Sequence, residues 1–457
     1  MNRIAGRAWI VLVLVFALIG GMAFFVMEFS NNARSWVFFS GSPHVYDGLK
    51  PADGILLDRS GKLLLNLSGN WTYNTDADIR KAALHWVGDR LGNVSAPILG
   101  RYTDEMIGYD LLDGVYSYGN QPGRMTLTLS AEVQVAALQA LDGRKGTVAV
   151  YNYKTGELLC AVTTPTYDPD DVPDVAGDTT GTYEGVYLNR FTQATFTPGS
   201  IFKLVTAAAA LETIPDIQDQ TFTCTGELEV GGGTVSCETD HGTLTFEEAL
   251  VYSCNCAFAQ ITAQVGGDRL QRYAESFGIT GSVSFDGITT VPGNLEAAGA
   301  AAYELAWSGI GQHTDLVNPC QYLTFVGAIA SGGNGAVPHV VREINVGGRQ
   351  TYAADTETTG RLVSVSTAQV LKEMMRGCVE IKYGVENFPD VTVCAKSGTA
   401  EKDGEEASNA MFAGFVDDPD YPLAFIVVVQ EGGYGSRTCI PIVNEVLTVC
   451  MEVLDAE

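Results

Sequence analysis

The sequence is poor in positive charge and in histidine. Its 457 residues include 27 Lys and Arg against 54 Asp and Glu, which gives a formal net charge of -27 at pH 7, and there are only 5 His. A protein that binds nucleic acid neutralises phosphates with a basic surface, so this charge balance excludes a nucleic-acid partner. The sequence also has no run of basic residues and no internal repeat.

Long apolar runs are scarce, and only one is long enough to cross a bilayer. Residues 8–27 contain no charged side chain, and about twenty apolar residues suffice to span a membrane as a helix. Arg3 and Arg7 precede this run and Glu28 follows it, so the positive-inside rule places the short leading tail in the cytoplasm. We therefore expect a single-pass anchor in the cell membrane with the rest of the chain extracytoplasmic. A cleaved signal peptide is the alternative.

A set of metal ligands with zinc-binding spacing is missing as well. No group of cysteines and histidines has that spacing, and the 5 histidines lie far apart in the sequence, so we expect no metal site and no cofactor. Cys224 and Cys237 flank a predicted hairpin with its turn at residues 231–233, which makes them the best disulfide candidates in an oxidising compartment. The other cysteines lie in apolar segments and are predicted to be small buried residues.

Length and composition predict a globular protein of two or three units. The chain is 46% hydrophobic and 18% charged. We divide it into a tail and anchor over residues 1–28, a membrane-proximal module over 29–122 and a large domain over 123–457. Within the module, a strand–turn–strand pattern is predicted over 54–65 and a helix near 76–91.

The domain over 123–457 is predicted to be an α+β unit with a mostly antiparallel sheet flanked by helices. Periodicity predicts a helix over 131–141, strands over 147–153, 158–163, 391–394, 410–416 and 423–430, and a final helix over 441–454. Two strands come early, three come late, and the middle is helical. The sheet must therefore be assembled from both ends of the domain.

Ser200 and Lys203 form a Ser-x-x-Lys pair at the start of a predicted helix. Pro198 and Gly199 disfavour helix, whereas residues 201–212 are rich in Ala and Leu and favour it. Residues three apart share a helix face, so a neutral Lys203 amine would be placed to take the proton of the Ser200 hydroxyl. Such a pair also occurs by chance about once in a chain of this length, so it does not establish a function by itself.

Two further short motifs follow along the chain. Ser253 and Asn255 lie at a break between two predicted helices, where they either project together into a cleft or cap the second helix. Residues 396–399, with the sequence Lys-Ser-Gly-Thr, follow a predicted strand. They form either an ordinary turn or a cationic, hydroxyl-rich strand edge that suits a carboxylate-bearing peptide.

Together the three motifs resemble, in order and in type, the signature of serine-active penicillin-recognising enzymes. The surrounding sequence is similar to that of the monofunctional, class B penicillin-binding proteins over residues 163–169, 185–190, 196–203, 310–312 and 396–401. The resemblance extends over residues 125–457. It implies the fold of penicillin-binding transpeptidases and serine beta-lactamases, and a peptidoglycan D,D-transpeptidase that cross-links stem peptides and is inhibited by beta-lactams.

The resemblance also implies a role for each matching residue. The implied catalytic residues are Ser200 as the nucleophile, Lys203 as the general base, Ser253 as a proton relay, Asn255 as a holder of the substrate amide and of Lys203, and Lys396 as the charge that keeps Lys203 neutral. The implied substrate-binding residues are Ser397, Gly398 and Thr399. The backbone N–H groups of Ser200 and Thr399 would form the oxyanion hole.

Other functions fit the same motifs. A beta-lactamase shares Ser-x-x-Lys but generally lacks the anchor and the extra module, and a D,D-carboxypeptidase would release D-alanine to water. A non-catalytic sensor or division scaffold would bind beta-lactam or wall peptide. The segment before residue 123 is too short for a glycosyltransferase domain, so we expect a separate polytopic membrane glycosyltransferase as partner. The sequence leaves open a role in elongation, division or sporulation, and the identity of the acceptor amine.

Overall fold

A computed structural model describes residues 2–38, 42, 45–47, 50–51, 53–69, 71–107, 109–110, 114–115, 122–400 and 408–456. Glu401, which belongs to the family-like segment 396–401, lies outside the described residues. The α-helices are α1 (Asn2–Val37), α2 (Ala77–Val87), α3 (Pro97–Arg101), α4 (Thr103–Met106), α5 (Ala131–Leu141), α6 (Arg190–Gln193), α7 (Lys203–Thr213), α8 (Phe246–Val251), α9 (Asn255–Val265), α10 (Gly267–Ser276), α11 (Ala302–Ser308), α12 (Pro319–Ala330), α13 (Val365–Gly377) and α14 (Gly435–Asp455).

The strands are β1 (Tyr46–Asp47), β2 (Lys50–Pro51), β3 (Ile55–Leu57), β4 (Leu63–Asn66), β5 (Thr72–Tyr73), β6 (Tyr109–Asp110), β7 (Gly114–Val115), β8 (Arg124–Leu127), β9 (Gly146–Asn152), β10 (Leu158–Thr164), β11 (Thr221–Cys224), β12 (Glu227–Val230), β13 (Gly233–Ser236), β14 (Gly242–Thr245), β15 (Ser284–Phe285), β16 (Ile288–Thr289), β17 (Asn334–Ala336), β18 (Val341–Val346), β19 (Arg349–Ala353), β20 (Thr358–Arg361), β21 (Val393–Ala400), β22 (Asn409–Val416) and β23 (Leu423–Val429). A 3₁₀ turn (Gly199–Phe202) leads into α7, and a π-helical turn (Cys378–Tyr383) follows α13.

Helix α1 contains the apolar run predicted from the sequence. Within its stretch Ile4–Ala33, an 18-residue window has a mean hydropathy of 2.9 and is not buried against the rest of the protein. It is the one helix of the described chain that is long and apolar enough to cross a membrane. An exposed apolar helix of this length needs an apolar environment, which a bilayer supplies. The helix fits a single-pass anchor, although a signal sequence has the same character.

The catalytic sheet has five strands in the order β10-β9-β23-β22-β21, and every neighbouring pair is antiparallel. The predicted α+β fold with a mostly antiparallel sheet built from both ends of the domain is therefore confirmed. All residues of β22 and β23 are buried, because α5 and α14 cover one face of the sheet and α12 covers the other.

Two element boundaries differ from the prediction. Strand β21 does not end at residue 394 but pairs with β22 as far as Ala400, so residues 396–399 lie within the edge strand of the sheet. Helix α14 begins at Gly435 instead of residue 441, and Pro441 lies inside it. Cys439 and Ile440, in the first turns of α14, are buried. Packing against the sheet thus overrides the local preference of proline for a helix start.

A second sheet contains strands that lie far apart along the chain. Its order is β19-β18-β8-β3-β4-β5, in which β3 pairs with β8 in parallel. The β3–β4 pair confirms the strand–turn–strand prediction over 54–65. Asp286 reinforces the connection, because its carboxylate accepts hydrogen bonds from the Tyr102 hydroxyl and from the N–H groups of Val340 and Val341. Strands on either side of residue 122 therefore share one sheet, and the division into domains at this residue stays a prediction.

Candidate active site

Ser200 lies in the 3₁₀ turn before α7, held against the edge strand β21. Gly199 has a φ of +54°, and a Cβ on it would lie 2.5 Å from the carbonyl oxygen of Thr399. Only glycine permits both this conformation and this close approach. The Gly199 N–H also donates to the carbonyl of Gly311 at 2.8 Å. These contacts place the Ser200 hydroxyl beside β21, and they bring the family-like segment 310–312 to the same place.

The Lys203 amine is fully buried and has four oxygen neighbours. Its Nζ lies 3.1 Å from the Ser200 Oγ, 2.7 Å from the Asn255 Oδ1, and 2.6 Å and 3.2 Å from the Ser253 carbonyl oxygen and Oγ. The carbonyl and amide oxygens can only accept hydrogen bonds, so they take the two N–H groups of a neutral amine. The lone pair of the amine is then left for a hydroxyl proton.

The environment of Lys203 favours this neutral form. Burial lowers the Lys203 pKa, and the positive charge of Lys396 lowers it further, to about 7. Burial also lowers the pKa of Lys396, to about 8. A large fraction of Lys203 is therefore neutral near neutral pH while Lys396 remains mostly charged, which is the condition under which Lys203 acts as a base.

Ser253 connects the two lysines. Its Oγ lies 3.2 Å from the Lys203 Nζ and 3.0 Å from the Lys396 Nζ, and Lys396 also donates to the Ser397 carbonyl at 3.0 Å. Ser253 has a φ of +56° in the short connection between α8 and α9. A positive φ is costly for a residue with a side chain and is found mainly where function or tight packing requires it. This conformation aims the hydroxyl between the two amines.

Asn255 occupies the first position of α9 but does not cap the helix. The cap is Cys254, whose Sγ accepts from the Ala257 N–H at 3.3 Å, so the capping alternative for Ser253 and Asn255 is wrong. The Asn255 Oδ1 faces Lys203, and its Nδ2 donates to the Ser236 carbonyl at 2.9 Å. Both ends of the amide are therefore held, and its orientation follows from its partners.

Ser397, Gly398 and Thr399 lie along β21 next to Ser200. The Ser397 hydroxyl is 2.8 Å from the Tyr383 hydroxyl, which also accepts from the Ser397 N–H at 2.9 Å. The Thr399 Oγ1 accepts from the Gly435 N–H at 3.1 Å. Tyr383 was not predicted from the sequence, because it lies in a π-helical turn outside the three motifs and no local pattern marks it.

The structure thus brings together Ser200, Lys203, Ser253, Asn255 and Lys396, with Ser397, Gly398 and Thr399 on the adjacent strand. A hydroxyl, a buried amine with a pKa near neutrality, a second hydroxyl and a second amine form a continuous chain of proton-transfer partners. Such a chain suits nucleophilic catalysis of acyl transfer. The role of each residue stays a prediction.

The cysteines differ from the sequence expectation. All 10 are free, so the predicted Cys224–Cys237 disulfide is not present. The fold also brings the ligand atoms of Cys224, Cys237, His241 and Cys254 within 4.8 Å of one another, so the spacing of these residues along the sequence does not by itself exclude a metal site. The hairpin of β12 and β13 produces this proximity, which spacing along the sequence does not reveal.

Comparisons with known proteins show the family of the chain. The family model "Penicillin binding protein transpeptidase domain" matches residues 146–448. The chain is 27% identical over 364 residues to peptidoglycan D,D-transpeptidase PbpA of Mycolicibacterium smegmatis, covering 74% of this chain and 73% of that protein. It is 29% identical over 350 residues to stage V sporulation protein D of Bacillus subtilis, covering 71% of this chain and 52% of that protein.

Solved structures show the same fold. The D,D-transpeptidase domain of a peptidoglycan glycosyltransferase from Eggerthella lenta superposes with a TM-score of 0.75 at 27% identity, covering 89% of this chain and 99% of that one. The ceftriaxone acyl-enzyme of penicillin-binding protein A from M. tuberculosis also gives 0.75, at 23% identity, over 87% of this chain and 97% of that one. Since the family model spans well over half of the sequence, the chain belongs to the penicillin-binding proteins with a transpeptidase domain.

Proposed function

We propose that this protein is a membrane-anchored D,D-transpeptidase that cross-links peptidoglycan stem peptides through an acyl-enzyme on Ser200. One observation carries the proposal: the buried Lys203 amine lies 3.1 Å from the Ser200 Oγ while its N–H groups face two obligate acceptors. This arrangement activates a serine without histidine. Family membership and the peptidoglycan D,D-transpeptidase name of a relative support the reaction class.

Acylation begins when neutral Lys203 accepts the Ser200 proton. The Oγ attacks the carbonyl carbon between the two terminal D-alanines, and the resulting oxyanion is held by the N–H groups of Ser200 and Thr399. The C–N bond then breaks, and the leaving D-alanine amine receives the proton from Lys203 through the Ser253 hydroxyl. Lys203 ends the step neutral, with the peptide esterified to Ser200.

The second half-reaction returns the enzyme to its starting state. An amine from a neighbouring stem peptide attacks the ester carbonyl and loses its proton through the Ser253–Lys203 pair, after which the Ser200 oxygen leaves and is reprotonated. Ser397 and Thr399 hold the substrate carboxylate, near the charge of Lys396. Gly398 lets the turn that carries Ser200 approach β21 closely, because a Cβ on Gly398 would lie 2.6 Å from the Pro198 carbonyl oxygen. A beta-lactam follows the first half-reaction and remains on Ser200.

The cellular setting belongs to the same proposal. Peptidoglycan lies outside the cytoplasmic membrane, so α1 serves as an anchor that holds the catalytic domain on the extracytoplasmic side. Glycan polymerisation is then supplied by a separate polytopic membrane glycosyltransferase. The arginines before the apolar run support this orientation.

The test is covalent labelling of the full-length protein with a fluorescent penicillin. We expect one adduct per chain on the wild type and none on Ser200→Ala, with the exposed Ser276→Ala as a matched control that labels normally. Absence of labelling on the wild type would contradict the assignment. Rapid loss of the label would identify a beta-lactamase. Incubation of a D-Ala-D-Ala peptide with an amine acceptor separates cross-linking from carboxypeptidase activity, which yields only the hydrolysed peptide.

A further inference from the structure

Four metal-ligating side chains converge beside the active site but take no part in its chemistry. Cys224 ends β11, Cys237 follows β13, His241 precedes β14 and Cys254 caps α9. Their three Sγ atoms and one imidazole nitrogen all lie within 4.8 Å of one another. These residues come from four separate elements, so the convergence is a product of the tertiary fold.

The distances match those between ligands of one tetrahedral ion. The His241 Nδ1 lies 3.4 Å from the Cys237 Sγ and 3.6 Å from the Cys224 Sγ, and the Cys237 and Cys254 Sγ atoms are 3.9 Å apart. With Zn–S bonds of about 2.3 Å and Zn–N bonds of about 2.0 Å, tetrahedral angles require roughly 3.5 Å between S and N and roughly 3.8 Å between two S atoms. Each of these three distances agrees with that geometry to within about 0.2 Å, and the remaining three pairs of ligand atoms lie within 4.8 Å.

The surroundings favour a closed, structural site. Cys224 and Cys254 are buried, and Cys237 and His241 are half-buried. The backbone N–H of Ala257 donates to the Cys254 sulfur at 3.3 Å. N–H donors of this kind stabilise a ligating thiolate. A disulfide would join only two of the three sulfurs and would leave the third thiol and the imidazole without a function, whereas one ion uses all four groups.

We propose that Cys224, Cys237, His241 and Cys254 bind one Zn²⁺ ion in a Cys₃His structural site. Thiolate and imidazole are the ligands that zinc prefers, and four protein ligands leave no open position for catalysis. Binding releases the thiol protons to solvent and changes no oxidation state.

The ion would also position part of the active site, an effect that rests on the proposed function. Cys254 lies between Ser253 and Asn255 in the sequence, and the Asn255 Nδ2 donates to the carbonyl of Ser236, the residue before Cys237. Cys254 is therefore a sequence neighbour of both residues that hold Lys203, and Cys237 is a sequence neighbour of the residue that holds Asn255. Loss of the ion should loosen Ser253 and Asn255 and slow acylation of Ser200.

The first test measures metal in the full-length protein purified under reducing conditions. We expect close to one zinc per chain by elemental analysis. We also expect that replacement by Co²⁺ gives the intense thiolate-to-cobalt absorption and visible bands of a tetrahedral site. Neither result depends on a variant folding. A wild-type protein that purifies without zinc and gives no tetrahedral Co²⁺ spectrum would overturn the proposal, as would a disulfide joining two of the three cysteines in protein alkylated before isolation.

The second test uses ligand variants. Cys224→Ala and His241→Ala should lose the zinc, His241→Cys should retain it because a fourth thiolate restores the ligand set, and Cys450→Ala, a buried cysteine in α14, should be unaffected. Acylation by fluorescent penicillin should fall about tenfold or more in the two zinc-free variants and recover in His241→Cys. Zinc retained by both alanine variants would refute the ligand assignment. Zinc binding in a protein that penicillin never labels would refute the proposed function alone.

Discussion

The pH at which Ser200 becomes reactive should follow the charge of Lys203. Burial and the charge of Lys396 lower the Lys203 pKa from 10.5 to about 7. Each pKa unit corresponds to about 1.4 kcal/mol, so the environment favours the neutral amine by roughly 5 kcal/mol. Only the neutral amine accepts a proton. The acylation rate constant should therefore rise about tenfold per pH unit below pH 6 and level off above about pH 8.

Lys396→Gln tests how much of this effect comes from charge. The two Nζ atoms share Ser253 Oγ as a neighbour, at 3.2 Å and 3.0 Å, so they are at most about 6 Å apart. At an effective dielectric constant of about 20, charges at this separation repel by roughly 3 kcal/mol. Burial is the larger cause and persists in the variant, so we expect the acid limb of the rate profile to move to higher pH by about one to two units.

The assay is rapid-quench labelling of the full-length protein with fluorescent penicillin between about pH 5.5 and 10 at constant ionic strength. Removing the repulsion stabilises protonated Lys203. The acylation rate constant of Lys396→Gln should therefore be low at pH 7 and should approach the wild-type value at alkaline pH. Lys396→Arg keeps the charge and serves as the matched control, with its acid limb close to that of the wild type. If the acid limb of the pH–rate profile lies at the same pH in Lys396→Gln as in the wild type, Lys396 does not act through its charge. A flat wild-type profile would remove Lys203 as the base.

Two further predictions concern residues that shape the site. Gly311→Ala should lower the acylation rate roughly 100-fold, because Gly311 has a φ of +86° and a Cβ there would clash with the Gly199 carbonyl, displacing Ser200. Gly278→Ala has a similar φ of +80° with open space around it, so labelling kinetics should stay near wild type, and equal losses in both variants would contradict the argument. Tyr383→Phe removes the hydroxyl that contacts the Ser397 N–H and Oγ, and a lost hydrogen bond of about 1–2 kcal/mol predicts roughly 5- to 30-fold slower acylation. Unchanged acylation in Tyr383→Phe, measured beside Tyr273→Phe, would exclude Tyr383 as a support for Ser397.

Local sequence patterns predicted those elements whose residues contact their near neighbours. Helix α5 (Ala131–Leu141) matches its predicted bounds, because Ser130 caps it and its apolar spacing has the helical period. Strands β9 and β10 also match within a residue or so. The three motifs predicted a set of residues that the fold does bring together, although neither their distances nor the burial of Lys203 can be read from sequence.

The features that the sequence did not predict depend on contacts between residues that lie far apart along the chain. Strand β21 continues through Lys396 because its partner β22 supplies a ladder as far as Asn409, a contact that no local pattern encodes. The Cys/His cluster depends on the hairpin of β12 and β13, whose Gly231–Gly232 turn has positive φ at both positions and closes the strands tightly. Folding then places the Cys237 sulfur next to the sulfur of Cys254, which lies in a different element.

The five-stranded sheet has a consequence for how the protein acquires its reactivity. Strands β9 and β10 leave the ribosome long before β21, β22 and β23, yet β9 pairs directly with β23. Such non-local pairing forms slowly, since the loop between the strands must close first. Lys203 cannot sit beside Lys396 in a dry interior until those last strands are in place. A nascent or truncated chain therefore carries an ordinary, protonated lysine and an inert serine, and a penicillin label marks only molecules that have finished folding.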